Sequence, residues 1–527
     1  MNSSKNSKEV MSMGDQLPAI IVLAPMFGAM FVGLFGNRDH RVCFPIVFAS
    51  LLISLCASIA AAQQVFTSGE VIDYFMAGWE EPIGIGIHLR IDSLNALILV
   101  LISVVVVLVS FFSIRRAGDQ HTEKTPQFYI LYLLLCVGLL GISITGDAFN
   151  LFVLVEVSSL TSYGLVAMGS SRRGTHAALN YLLMGTVGAS FYLLGVGYLY
   201  LKTGTLNMQD IHAILQANGE IAESNAVSIA FLLILVGIWI KMAFFPLHGW
   251  LPNAYSYCPS TSACLLAPLM TKVSVYVMVR VMIGVFGVEW VFVNLGWSHL
   301  VVWLAVIAIL AGSMLALAQR EIKKMLCYLI VAEVGYMVGG AWLSDPDHWG
   351  LTGSLYHILA DAMMTLCLFL AAGVFAKRLG AIEIKDLEGL FKKMPLTSVA
   401  FVIAALGMIG VPPTAGFYSK FYLIRGAIEG GHWEYVAALL ISSLVNAVLF
   451  FRIFEIAFFG NKPAEGHGHD DHHEEETPNL EAPWSALFPL LASAAIIILL
   501  GLFNGPIVDL LRESLEHLPS IVTTQAD

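Results

Sequence analysis

At 527 residues, 57% hydrophobic and only 12% charged, the chain does not have the composition of a soluble globular protein. Its net charge of −11 sits mostly in loops and points to no nucleic-acid partner. Seven cysteines without a C-x-x-C pair speak against a disulfide framework, an iron–sulfur cluster or a zinc knuckle, and no Gly-rich phosphate loop precedes a helix, so no cofactor is expected.

Apolar runs long enough to cross a hydrocarbon core recur from end to end. The polar first sixteen residues lead into the first of them without a small-residue cleavage site, so it reads as a span and not a signal peptide. Fourteen spans are expected: 17–36, 42–62, 93–114, 127–145, 149–168, 177–200, 226–247, 261–286, 299–318, 324–342, 350–376, 396–428, 433–459 and 484–505. Pro246 breaks the seventh, and Gly410-Val-Pro-Pro-Thr-Ala-Gly416, with Pro412 and Pro413, interrupts the twelfth. Sixteen of the 27 Lys and Arg residues fall in one set of loops and five in the other, which places both termini outside the cytoplasm. The acidic loop with Glu70, Asp73, Glu80 and Glu81 reads as a solvated face. The stretch Glu465–Glu476 reads as a solvated linker, although His467, His469, His472 and His473 are a weak metal candidate without a fixed geometry.

Charges inside the spans are expensive and mark ion paths by default. Span five carries Glu156 and span seven Lys241, which make natural partners; a pair of this kind acts as a charge switch or merely pins two helices. Span eight carries Lys272 near its middle, with Arg280 two turns on, either sharing its face or reaching the interface. His357 and Asp361 share one face of span eleven and read as a link between halves or a satisfied buried pair. In span seven the lysine precedes the proline, whereas in span twelve Lys420 follows it; with Glu333 in span ten matching Glu156, this is what an inverted repeat produces. The organisation read from this is helices one to three in 1–126, a first repeat in 127–286, a second in 287–460, the His/acid-rich loop 461–483, and a last helix and tail in 484–527.

Four stretches carry a family resemblance: Thr145-Gly-Asp-Ala-Phe-Asn-Leu-Phe-Val-Leu-Val-Glu156, Tyr181–Ser190, Phe245-Pro-Leu-His-Gly-Trp-Leu-Pro-Asn253, and Val411-Pro-Pro-Thr-Ala-Gly-Phe-Tyr-Ser-Lys420. They resemble the antiporter-like subunits shared by respiratory complex I, Mrp-type cation/proton antiporters and membrane-bound hydrogenases, with the D-type subunit of the Mrp antiporters nearest. The resemblance implies an all-α polytopic fold of about fourteen helices, with inverted five-helix units (helices 4–8 and 9–13) and broken helices seven and twelve. It also implies a proton path through Glu156, Lys241, His248, Lys272, His357 and Lys420, with Asp361 beside them. Glu333 and Arg280 are additional candidates. Where the family often has a histidine and then a lysine after His357, this chain has Asp361 and Thr365; Asn253, Tyr255 and Glu333 are further departures. Those changes suggest a different coupled ion, or a subunit that couples conformationally with incomplete conduction.

The first functional reading is a proton-translocating membrane subunit, Na+/H+ antiporting in one form, working with other membrane subunits of a multisubunit complex in a bacterial plasma membrane. The alternatives are a pump module of a redox-driven NADH dehydrogenase or hydrogenase complex, a stand-alone secondary transporter, and a non-conducting scaffold. No redox or hydrolytic site is expected in this chain itself.

Overall fold

The computed structural model describes residues 14, 16–76, 86–114, 124–169, 172–380, 383–459 and 480–515. Helices α1 (Leu17–Phe35) and α2 (Cys43–Ser68) pair, and a hairpin of β1 (Ile72–Phe75) and β2 (His88–Ile91) leads into α3 (Ser93–Ser113). Then come α4 (Thr125–Ile144), α5 (Ala148–Ala167), α6 (Arg172–Thr203), the short α7 (Met208–Ala217) and α8 (Gly219–Ala222), and the broken pair α9 (Asn225–Met242) and α10 (Leu251–Tyr257). Helices α11 (Ser260–Val281), α12 (Ser298–Leu317), α13 (Ile322–Ala341) and α14 (Trp349–Arg378) follow. After α15 (Leu390–Lys393) a second broken span, α16 (Pro395–Ile409) and α17 (Ala415–Glu429), precedes α18 (Trp433–Phe459), α19 (Trp484–Leu502) and α20 (Asn504–Leu515).

Among the described residues, thirteen helices are long and apolar enough to cross a membrane, and α16 with α17 supplies a further crossing in two pieces. This is an integral membrane protein of the expected all-helical class. Contacts between loops follow the alternation of crossings. At the end where α1 begins, Leu89 bridges Thr145 and Asp147 bridges Asn207; at the other end Glu321 bridges Glu383, and the Leu480 amide donates to the Lys393 carbonyl at 3.0 Å.

Several boundaries differ from the sequence reading. The seventh span ends at Met242, not 247, because the chain turns left-handed at Ala243 (φ 59°). Pro246 cannot donate and excludes helical conformation from the residue before it, so the helix unwinds ahead of the proline. Helix α16 stops at Gly410, whose φ of +92° suits a residue without Cβ. The last span divides at Phe503 into α19 and the amphipathic α20.

The hairpin corrects a second expectation. Asp73 is not simply solvated: it lies 2.7 Å from His88 Nε2 and 3.7 Å from Arg90. Burial works against its charge, but the His88 hydrogen bond and Arg90 hold Asp73 below the usual carboxylate range. Asp92 caps α3 by accepting from the Asn95 amide at 3.1 Å and receives the Arg280 guanidinium. Burial again opposes the charge, and Arg280 overcomes it, leaving Asp92 below its ordinary range. Glu80, Glu81 and the histidine-rich stretch, with His467, His469, His472 and His473, lie outside the described residues.

Close packing places the breaks. A Cβ on Gly237 would stand 2.6 Å from the Gly188 carbonyl, so α6 and α9 approach through glycine on both sides, as small residues allow in lipid. Helix α14 is buried from Trp349 to Phe375 and packs against α11, α13, α16, α17 and α19, which makes it the axis of the bundle.

Candidate functional site: a buried row of charges

Breaking a helix at membrane depth leaves carbonyls without amide partners, and each must be satisfied from elsewhere. At the end of α9, the Trp250 indole donates to the Ile240 carbonyl at 2.9 Å. At the end of α16, Lys420 Nζ donates to the carbonyls of Met408 (2.7 Å) and Ile409 (3.3 Å), and Asn446 donates to Met408 at 3.2 Å. A cation at a helix C-terminus also meets the negative end of its dipole. Sequence order thus sets different roles: Lys241, ahead of its break, rides on the helix, while Lys420, behind its break, reaches back to plug the open end.

Lys241 Nζ donates to Glu156 Oε1 at 2.9 Å and to Ser159 Oγ at 2.8 Å, so the expected partners do meet. The Glu156 side chain is 25% exposed and Lys241 10%, so this pair lies near the surface of the chain. A cavity lined by Ser158, Ser159, Gly188, Gly237, Lys241 and Ser274 adjoins it. Among the described residues, no hydrogen bond or ion pair joins this pair to Lys272.

Lys272 lies 2.8 Å from Asp361 Oδ2, both side chains fully buried, and donates to Thr365 Oγ1 at 3.3 Å and the Ala267 carbonyl at 3.4 Å. Thr365 in turn donates to Asp361 Oδ1 at 2.8 Å. The two departures in α14 therefore act together: Asp361 is the counter-ion of Lys272, and Thr365 holds the carboxylate in place.

The sequence reading makes a pair of His357 and Asp361, and the structure turns them to different partners. His357 Nε2 lies 2.7 Å from Glu333 Oε2, and Nδ1 lies 2.8 Å from Ser419 Oγ. Ser419 donates to the Gly416 carbonyl at 3.0 Å, so Nδ1 is the donor in its pair, and Nε2 faces the Glu333 carboxyl. Glu333 and His357 are both fully buried. Lys420, the residue after Ser419, also donates to Ser443 Oγ at 3.0 Å and sits 5.2 Å from the Tyr336 ring centre.

Two candidates do not join the row. Arg280 turns to Asp92 at the bundle end and not toward Lys272. His248, in the break after α9, packs on Phe245 with ring centres 5.1 Å apart, and its Nδ1 has no hydrogen-bond partner among the described residues. Sequence reasoning did not single out Ser159, Ser419, Ser443, Asn446 or Trp250. Serines one turn from a charged residue on an apolar helix were the available signal for Ser159.

These features define a class: a polytopic membrane protein with two broken helices and ionisable side chains paired within its spans. The chain belongs to the family described as NADH:quinone oxidoreductase/Mrp antiporter, TM, which matches residues 145–446. It is 42% identical to the N subunit of NADH-quinone oxidoreductase of Desulforudis audaxviator over 505 residues, covering 93% of this chain and 97% of that protein. It is 28% identical to the D subunit of the Na(+)/H(+) antiporter of Bacillus subtilis over 501 residues, covering 94% and 96%. Among solved structures, a chain of the Mrp complex from a Dietzia species superposes with a TM-score of 0.84 at 26% identity, covering 96% of this chain and 98% of that one. A chain of the membrane-bound sulfane sulfur reductase, an archaeal respiratory membrane complex, gives 0.85 at 28% identity, covering 96% and 98%.

Proposed function

We propose that the chain is a proton-translocating membrane subunit of a multisubunit complex. Protons enter from the cytoplasm toward Lys241 and Lys272, pass Asp361 and His357 with water filling the gaps, and leave by Lys420. Glu156 modulates Lys241, and Glu333 modulates His357. In this reading the two halves are inverted repeats, both termini lie on the non-cytoplasmic side, and the membrane is a bacterial plasma membrane.

One observation carries the reading. Within one turn of α14, Asp361 turns to Lys272 while His357 turns to Glu333 and Ser419, and all of these side chains are fully buried. Buried charges that only held helices together could be replaced by apolar side chains without loss, whereas a relay needs groups that exchange protons. The experiment is reconstitution of the complex in vesicles with Asp361→Asn. Proton flux should collapse while the subunit stays assembled; unchanged flux would favour the scaffold reading.

A redox-driven setting is the second reading, favoured by the 42% identity to a protein named as an NADH-quinone oxidoreductase subunit. Gentle purification from native membranes separates the two. Co-purifying flavin or iron–sulfur subunits indicate a redox complex, and cofactor-free membrane partners indicate an antiporter.

A further inference from the structure

Away from the buried row, at the end of the bundle where α1 begins, α12 and α18 bring three metal-ligating side chains together. His299 stands in the first turn of α12, His432 just ahead of α18, and Glu434 in the first turn of α18. Their ligand atoms all lie within 4.8 Å of one another. His432 Nδ1 already lies 2.8 Å from Glu434 Oε1, and the His299 and His432 rings are 4.7 Å apart. His432 is 1% exposed, Glu434 half-buried and His299 exposed, so the group forms a corner closed on the protein side and open on the other.

We propose that His299, His432 and Glu434 form a site for a zinc-class divalent cation that ties α12 to α18. Two imidazoles and one carboxylate are a donor set suited to such an ion, with a remaining position for water. Ligands about 2 Å from a tetrahedral zinc stand roughly 3.3 Å apart, so closing the site from separations of up to 4.8 Å needs shifts of up to about 1.5 Å. His299 is free to make them: it is exposed, and its rotamer is not fixed by burial. Zinc held by two neutral imidazoles and one carboxylate leaves the site with one net positive charge, on the open side of the corner where His299 is exposed.

The position gives the site mechanical reach. Ser313 and Ser442 lie 2.6 Å apart between α12 and α18, and Tyr336 of α13 donates to Ser442 at 2.6 Å. The next residue, Ser443, accepts from Lys420. An ion at the first turn of α18 therefore stiffens the helix that holds the Lys420 end of the row, about 15 Å further along its axis.

The test is zinc titration of the purified full-length chain, read as bound metal per chain and as amide hydrogen exchange at 296–300 and 431–435. Cobalt titration then reports ligand geometry by visible absorption. The wild-type chain should bind one zinc that His299→Ala and Glu434→Gln each weaken by at least about tenfold, with slower exchange in both segments only when zinc is bound. Because His467, His469, His472 and His473 offer other ligands, the titration is repeated with those four replaced by alanine. The zinc must persist there and still depend on His299. Binding that disappears in that variant, or that is unchanged in His299→Ala, overturns the site. His299 is exposed, so its replacement leaves folding intact, and neither readout depends on transport, so failure here leaves the proposed function standing.

Discussion

The two broken helices each carry a lysine, yet the lysines are held by different chemistry. Lys241 is paired with the carboxylate of Glu156 near the surface of the chain. Lys420 is buried and held by backbone carbonyls and a serine, with no carboxylate within ion-pair distance among the described residues. A carboxylate can take up a proton and release its partner; a carbonyl cannot. In the proposed reading the first site is switched by its neighbour's protonation, whereas at the second Lys420 itself gives up and takes back the proton. Between them, α14 separates the two regimes, with Asp361 serving one side and His357 the other.

The largest effect should come from cutting the link at its middle. Lys272→Met leaves Asp361 buried without its ammonium, and stranding one member of a buried pair costs roughly 3–5 kcal/mol. Thermal unfolding in detergent should show that loss, and the double variant Lys272→Met/Asp361→Leu should recover much of the stability but none of the proton flux. Stable, conducting double-mutant vesicles would remove this pair from the path. Next, Glu156→Ala should impair transport while the protein stays in the membrane, because the pair is only partly enclosed by the chain and its loss strands less buried charge than the loss of Lys272. Normal flux from Glu156→Ala would erase the proposed contrast between the lysines. A smaller effect is expected at Ser443→Ala, where one hydrogen bond to Lys420, about 1.5–3 kcal/mol for a charged donor, is lost. A flux change confined to the second half, with Glu156 variants behaving as before, would sharpen the contrast.

The smallest effects concern pH at the bundle end where α1 begins. Asp73 and Asp92 are held below their ordinary range, so their contribution to stability is present at neutral pH and is lost as pH falls through those lowered values. Asp345, in the loop between α13 and α14, behaves in the opposite sense. Burial pushes its carboxyl up to about 6, so its contribution is present in acid and lost as pH rises through about 6. Hydrogen exchange should therefore quicken at the hairpin below about pH 4 and in the 342–348 loop above about pH 6. Asp345→Asn should abolish the second change and leave the first.

Composition and apolar periodicity were enough to read an all-helical membrane protein, its crossings and both breaks, because the bilayer permits few alternatives and proline cannot continue a helix. The charged residues stood out for the same reason: each is costly in its apolar run. Glu156 and Lys241 could even be paired from sequence, because a carboxylate inside an apolar span calls for an ammonium nearby. What the chain order could not decide was which way each side chain turns. His357 and Asp361 share a helix face by spacing, but α14 is enclosed on all sides, so one turn suffices to deliver them to different neighbours. The pairing of Lys272 with Asp361, of His357 with Glu333, and of Lys420 with the open end of α16 are choices of tertiary packing. They join residues far apart in the chain, and only the folded bundle brings those residues within reach.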